Sequence, residues 1–301
     1  MAYSRSGAPD SGTMVPGGPV APRSERRSRL LEPLRQEGAK GVVVAVVSTA
    51  VFFGLIGWLV LRSPNWPEVK QLFFNGQEFR DTFPSIAQKF LRNIQYFVIG
   101  EVFILAYALF LAVLRSLPGP VFFPLRLLSI MYTDLFRGIP TILVIYLLAF
   151  GVPSLAIPGA PTSPTFWAIV GLVLSYSAYV SEVYRAGIES VHPSQIAAAR
   201  ALGLSRWQSL RFVVIPQAVR RVVPPLLNDF VALQKDTALV AFVVVVPEAF
   251  KMAQIHQNAD FNFTPLLAAA LLFLLITVPL TRFVDWMITQ ERARRQGGGI
   301  V

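Results

Sequence analysis

Long apolar runs separated by charged or proline-rich segments dominate this chain. Residues 41–61 form an uninterrupted apolar run of 21 residues without a charge, long enough to cross about 30 Å of hydrocarbon as a helix. Residues 94–114 form a second run that carries Glu101 and is followed by Arg115. Residues 122–136 predict a shorter, partly amphipathic helix that ends around Asp134, Arg137, Gly138 and Pro140. A third span is expected over 139–157, with Pro140 and Pro153 near its ends. A fourth over 165–184 runs into Glu182, Arg185 and Glu189. A fifth, 222–246, breaks the apolar pattern with Pro224, Pro225, Asn228, Asp229, Gln234, Lys235 and Asp236, and a sixth covers 264–288. Between these, the aromatic and charged stretch 62–92 predicts a segment lying along the membrane surface, and 247–263 a loop. The expectation is an all-α, polytopic membrane protein of six spans.

Composition agrees with that pattern. The chain has 301 residues, of which 54% are hydrophobic and 15% charged, with a mean hydropathy of +0.55, too apolar for a soluble domain of this size. Residues 1–40 hold five Pro, five Gly, five Ser and six Arg with few apolar side chains, which predicts a disordered basic tail. A cleaved leader is the competitor for 41–61. The tail is too long for one, the apolar run exceeds a usual leader's, and no small-x-small cleavage site follows.

The net charge of +10 raises the question of nucleic acid. With six spans and the N-terminus inside, 20 of the 27 Lys and Arg fall in cytoplasmic segments. The positive-inside rule then orients the chain with both termini cytoplasmic and explains the basic charge without nucleic acid. The chain has no cysteine and only two histidines, so thiolate metal sites and disulfides are excluded. His192 and His256 fall on opposite sides of the membrane in this topology, and no metal ligand set or phosphate-binding loop is present. Any use of ATP and Mg must therefore go through a partner.

The most informative polar stretch is 190–216, wedged between two spans on the cytoplasmic side. Pro193 and Ser194 predict a helix start, and Gly203 a stop in left-handed geometry. Ser205, with Gln208 three residues on, forms an S-x-x-Q capping box that opens a second helix. Ala197, Ala198, Ala199 and Ala201 carry little bulk, so a partner could approach this backbone closely. Arg185 and Glu189 are spaced to pair on one helix face.

Within the spans, a charge at the bilayer centre costs about 2.5 to 3.5 kcal/mol, so Asp229, Lys235 and Asp236 must face protein or water. Two readings stay open: structural staples or headgroup-level charges, and the lining of a pathway. The pathway candidates are Glu182, Asn228, Asp229, Lys235 and Asp236. A stand-alone secondary transporter or channel, with Glu101, Asp229 and Lys235 as an ion or proton relay, is the alternative function.

The helix pair resembles the EAA loop of ABC importer permeases: E-A-A, three residues, Gly, nine residues, then I-x-L-P. Ala197, Ala198 and Ala199 stand at the E-A-A positions, with Ala197 replacing the Glu; Gly203 is the glycine and Val213 to Pro216 the end. LFRGIPTILVIY at 135–146, SAYVSEVYRAGIESV at 177–191, IPQAVRRVVPPLLNDF at 215–230 and ALQKDTALV at 232–240 are similar to the polar amino acid permeases of that family.

The resemblance implies a five-helix permease core over 93–288, with 41–61 as an extra N-terminal helix, 62–92 extracytoplasmic or interfacial, and 289–301 a cytoplasmic tail. It implies a multi-pass protein of a bacterial plasma membrane, without catalytic residues or a cofactor of its own. Its expected partners are a cytoplasmic ATPase dimer, a second permease copy or paralogue, an extracytoplasmic amino-acid-binding protein and membrane lipid, but no nucleic acid. The residues it assigns to ATPase coupling are Ser194, Ala197, Ala198, Ala199, Arg200, Leu202, Gly203, Ser205 and Arg206.

Overall fold

The computed structural model describes residues 38–243 and 247–297. Most of the basic tail, residues 1–37, and the end of the 289–301 segment lie outside the described residues, as do 244–246. The chain divides into two units, residues 1–67 and 68–301. In the first, α1 (Gly38–Leu61) is apolar on all sides and exposes Val43, Phe52, Phe53, Trp58 and Leu59. A helix hydrophobic on every face suits a membrane span. A short helix, α2 (Trp66–Phe73), precedes the long helices of the second unit.

The second unit is helical among its described residues. Its longest element after α2 is α3 (Gly76–Ser116), opened by Asn75, whose side chain accepts from the N–H groups of Gln77 and Glu78. This corrects the expected surface segment: 76–92 does not lie apart but runs into the second span as one helix. The reason is a buried stripe at helical spacing, Thr82, Ile86, Phe90 and Asn93, which continues through Gly100, Ile104, Ala108 and Leu111. Arg80, Asp81, Lys89 and Arg92 occupy the remaining positions of the first half and obscure that stripe in the sequence.

The helices α4 (Phe123–Gly138) and α5 (Thr141–Ser154) meet at a 104° bend. Pro140 lacks an N–H and holds Ile139 in an extended conformation, which ends α4 and starts α5 on a new axis. The expected span 139–157 is therefore a 14-residue helix, too short by itself for the bilayer.

The remaining elements are α6 (Pro164–Glu189), α7 (Pro193–Ala201), α8 (Arg206–Ser209), a π turn over Leu210–Val214, α9 (Ile215–Asp236), a 3-10 turn over Thr237–Phe242, α10 (Ala249–Asp260) and α11 (Thr264–Gly297). Helix α10 corrects the loop expected over 247–263. Its small side chains, Ala249 and Ala253, are fully buried against Ile86, Phe90, Ala268 and Ala269. Among the described residues, four helices are long and apolar enough to cross a membrane, or five with the α4–α5 pair taken as one broken span. The expected fifth span instead falls on α9, which begins earlier, at Ile215, and includes Arg220 and Arg221.

Helix α6 lies at the centre of the unit, packed against α3, α4, α5 and α9. Ala168, Leu172, Tyr176 and Val180 meet Ile104 and Ala108 of α3, Ile145 and Ala149 of α5, and Leu233 of α9. Two glycines allow this. A Cβ at Gly171 would stand 3.1 Å from the Cα of Ile145, and one at Gly187 would strike the side chain of Val222.

A polar clamp joins α3 to the turn before α10. The fully buried Glu248 accepts from Asn93 Nδ2 at 2.7 Å and from the N–H groups of Phe250 and Lys251 at 3.0 and 2.6 Å. Asn93 Oδ1 accepts from the Ala249 N–H, and Arg92 donates to the Pro247 carbonyl. Glu248 lies outside the helices that cross the membrane. Burial pushes its carboxyl above the ordinary value, and these donors pull it partly back.

Replacing Gly171 by Leu should destabilise the fold by about 1–3 kcal/mol through forced separation of α5 and α6. Leu at Gly151, where an added Cβ meets open space, should not. Melting midpoints in detergent test this, and equal midpoints would refute the close-approach argument. For Glu248, the folded state holds its proton more tightly than the unfolded chain. Its contribution should be greatest below the unfolded carboxyl pKa and fall as pH rises through the raised value. The midpoint difference between wild type and Glu248→Gln should follow that slope; a pH-independent difference would show that Glu248 does not titrate with folding.

Candidate functional site

The helix pair after α6 is built by local chemistry. His192 caps α7: its Nδ1 accepts from the Ser194 N–H at 3.2 Å and lies 2.6 Å from the Ser194 hydroxyl. Pro193 takes the first helical position, where its missing N–H is not needed. At the other end Gly203 has φ +85°, with its N–H on the Arg200 carbonyl and the Leu204 N–H on that of Ala199. The Ser205–Gln208 capping box is present in both directions, at 3.2 and 2.8 Å. The sequence-predicted boundaries of this element hold.

Of the coupling candidates, Ser194, Ala197, Ala198, Arg200, Leu202, Gly203, Ser205 and Arg206 are exposed and share one short stretch, whereas Ala199 is buried. The structure adds two exposed side chains that sequence reasoning missed, Trp207 at 65% and Phe212 at 62%, beside Leu202 at 83%. An apolar set exposed on a polar, capped helix pair suits a protein interface. A tryptophan in the first turn of an otherwise polar capped helix was the available signal. His192 was likewise missed as a cap, because a histidine rarely fills that role.

The pair is tied back to the bundle. Val191, Val214 and Ala218 form a small core with Ile196 against it, and Arg221 donates to the Ser190 carbonyl. The chain then passes through the π turn into α9, so α7 and α8 are seated on the start of α9.

The structure separates the pathway candidates into two groups. Glu182 belongs to an ion-pair cluster with Arg115 and Arg185, and Arg185 also holds Glu189 as the spacing predicted. It does not join the α9 residues. On α9, Asn228 is exposed and donates to the Pro224 carbonyl at 3.2 Å. Asp229 has a buried Oδ2 without a hydrogen-bond partner. Asp236 accepts from the Tyr176 hydroxyl at 2.7 Å. Lys235 is exposed, with no ion pair among the described residues.

Glu101 of α3 lies within the electrostatic reach of Asp229 and Tyr184, and Tyr176 within that of both α9 aspartates. Three helices thus bring Glu101, Tyr176, Tyr184, Asp229 and Asp236 to one acidic region. The two tyrosines were missed because, at eight residues apart on an apolar helix, they resemble ordinary core.

Residues 116–291 match the family described as binding-protein-dependent transport system inner membrane component. The chain is 36% identical over 196 residues to the probable glutamine ABC transporter permease protein GlnP of Bacillus subtilis (strain 168), covering 64% of this chain and 87% of that protein. It is 30% identical over 197 residues to the probable amino-acid permease protein YxeN of the same organism, covering 65% and 86%. Among solved structures, the crystal structure of an amino acid ABC transporter with histidines superposes with a TM-score of 0.63 at 25% identity, covering 72% of this chain and 98% of that one. The MetNI methionine ABC transporter in an inward-facing conformation shares the fold, with a TM-score of 0.54 at 17% identity over 68% of this chain and 95% of that one. The membrane helices, the capped helix pair and these matches agree: the chain belongs to the family of binding-protein-dependent transport system inner membrane components.

Proposed function

We propose that this chain is the permease subunit of an ATP-driven importer of polar amino acids in a bacterial plasma membrane, coupled to a separate ATPase through α7 and α8. The observation that carries the coupling assignment is the rigid, doubly capped turn at Gly203, which presents Ala197, Ala198, Leu202 and Trp207 together. Small alanines admit a partner's surface close to the helix, and Leu202 and Trp207 supply apolar anchors of the kind that dominate interfaces. Arg200 and Arg206 flank them, so a partner with acidic groups around an apolar groove fits. Ala197 removes one possible carboxylate from this face.

The amino-acid assignment is supported by the similarity to amino-acid and glutamine permeases and by the acidic region. Every amino acid carries an α-ammonium group, and Asp229 offers a buried carboxylate oxygen that lacks a donor. Glu182, held by two arginines, acts as a structural tie in this scheme. ATP and Mg belong to the partner ATPases, a second permease copy or paralogue completes the pathway, and a separate binding protein delivers the substrate.

Coupling follows from connectivity. Closing of an ATPase dimer displaces α7 and α8. Because Val191, Val214 and Ala218 bind that pair to the start of α9, the displacement tilts α9 and with it Asn228, Asp229 and Asp236. A bound nucleotide thereby favours one of two states of the pathway through its differential affinity for them.

Gly203→Glu strains a left-handed position and puts a charge on the docking face. It should leave the permease inserted but lower substrate-stimulated ATP hydrolysis by about tenfold, within the usual range of coupling energies. Normal stimulation in this variant would remove the docking assignment. For the pathway, the absence of native cysteine allows Asp229→Cys to be labelled alone. Its labelling rate should change when substrate or nucleotide is added to the assembled transporter; a constant rate would exclude Asp229 from the pathway. Uptake into vesicles by this chain without its ATPase would favour the secondary-transporter alternative.

A further inference from the structure

Three arginines converge at the ends of α3 and α6 that the positive-inside bias assigns to the cytoplasm. Arg115 lies in the last turn of α3, Arg126 in the first turns of α4 and Arg185 near the end of α6. They line an open cavity of about 390 Å³.

The local charges do not cancel. Glu182 accepts from Arg115 and Arg185, and Glu189 accepts from Arg185. Arg126 donates to the Leu117 carbonyl at 3.1 Å and has no carboxylate partner among the described residues. Three guanidinium groups against two carboxylates leave one positive charge, which matches one phosphodiester.

The rest of the wall is apolar. Phe123, Leu127 and Ile130 line it, and Val121, Phe122, Leu128 and Met131 stand exposed beside it, Val121 at 83%. Helix α4 turns its hydroxyls inward, with Ser129 and Thr133 buried, and its apolar side chains outward. That is the reverse of a helix facing water and suits a helix facing acyl chains. A basic pocket between membrane helices, with an apolar flank on the same side, has the two halves that a charged lipid requires.

We propose that this cavity seats the headgroup of an anionic phospholipid of the cytoplasmic leaflet. Arg115 and Arg126 face its phosphodiester, and its acyl chains run along Phe123 and Leu127. Inorganic phosphate would use the arginines but gain nothing from the apolar wall. The site also has a position from which to act on the coupling pair. Arg185 holds Glu189, and the next residue, Ser190, is the one whose carbonyl Arg221 grips. Binding itself does not depend on the transport function.

The test uses the full-length permease in detergent, equilibrated with dioleoyl-phosphatidylglycerol or with dioleoyl-phosphatidylcholine, and counts retained lipid by native mass spectrometry. Wild type should retain the anionic lipid preferentially. Arg126→Gln should reduce that preference by about fivefold, the effect of one arginine near a charged lipid surface. Glu189→Gln should increase it, a gain that a misfolded protein does not produce. Lys89→Gln, the same change of charge elsewhere on α3, should leave it unaltered, and millimolar inorganic phosphate should not displace the lipid. Equal retention of the two lipids, an equal loss in Lys89→Gln and Arg126→Gln, or displacement by inorganic phosphate would overturn the proposal.

Discussion

The close approach of α6 to α5 and α9 is the constraint on which the second unit depends. In hydrocarbon, burying one more leucine gains little, because lipid is as apolar as the side chain. Helices hold together through dense contact and through hydrogen bonds that lipid does not offer. Gly171 lets the Ile145 backbone settle against α6, and Gly187 makes room for Val222. The polar clamp of Asn93 and Glu248 serves the first half of α3, where α10 and α11 pack on small alanines. Small residues and satisfied polar groups therefore decide where the helices cross, and the exposed leucines and phenylalanines of the membrane helices mark surface that lipid can cover.

That division explains how much of the fold and of the site was legible in the sequence. Apolar runs marked α1, the second half of α3, α6 and α11, because lipid exposure demands an uninterrupted run. The helix pair was legible to the residue, since Pro193, Gly203 and the Ser205–Gln208 box act through bonds to their own neighbours. Helix α10 was not, because its core contacts are Ala249 and Ala253, and AQIHQNAD has the composition of a loop. The first half of α3 was hidden by charges on its outer face, and the bend at Pro140 became visible only in three dimensions. For the pathway, Glu182 and Asp229 were both candidates by residue type, and Glu101 stood with Asp229 and Lys235 in the alternative relay. Tertiary packing gives Glu182 to Arg115 and Arg185, leaves Glu101 within electrostatic reach of Asp229, and adds Tyr176 and Tyr184 from α6.

Charge has three separate uses in one chain. Most Lys and Arg lie outside the apolar runs, where the positive-inside rule weighs only their number. Glu182, Arg115 and Arg185 bridge α3 to α6. Asp229 and Asp236 sit in α9 where apolar side chains would pack more easily, and Asp229 keeps a buried carboxylate oxygen without a donor. The same residue type therefore carries different meaning according to the number of donors around it.

The π turn over Leu210–Val214 makes the geometry of this element sensitive to its length. A π turn holds one residue more than an α turn, and one residue rotates a helix face by about 100°. Here it stands between α8 and α9, so it sets the direction in which Trp207 points relative to the membrane helices. Substitutions at exposed positions leave that direction intact, whereas a single insertion or deletion turns the whole face away. The length of the element therefore constrains it more tightly than its exposed side chains do: a substitution at Ala197 leaves the direction of Trp207 unchanged, whereas a change in the count from there to Pro216 turns it.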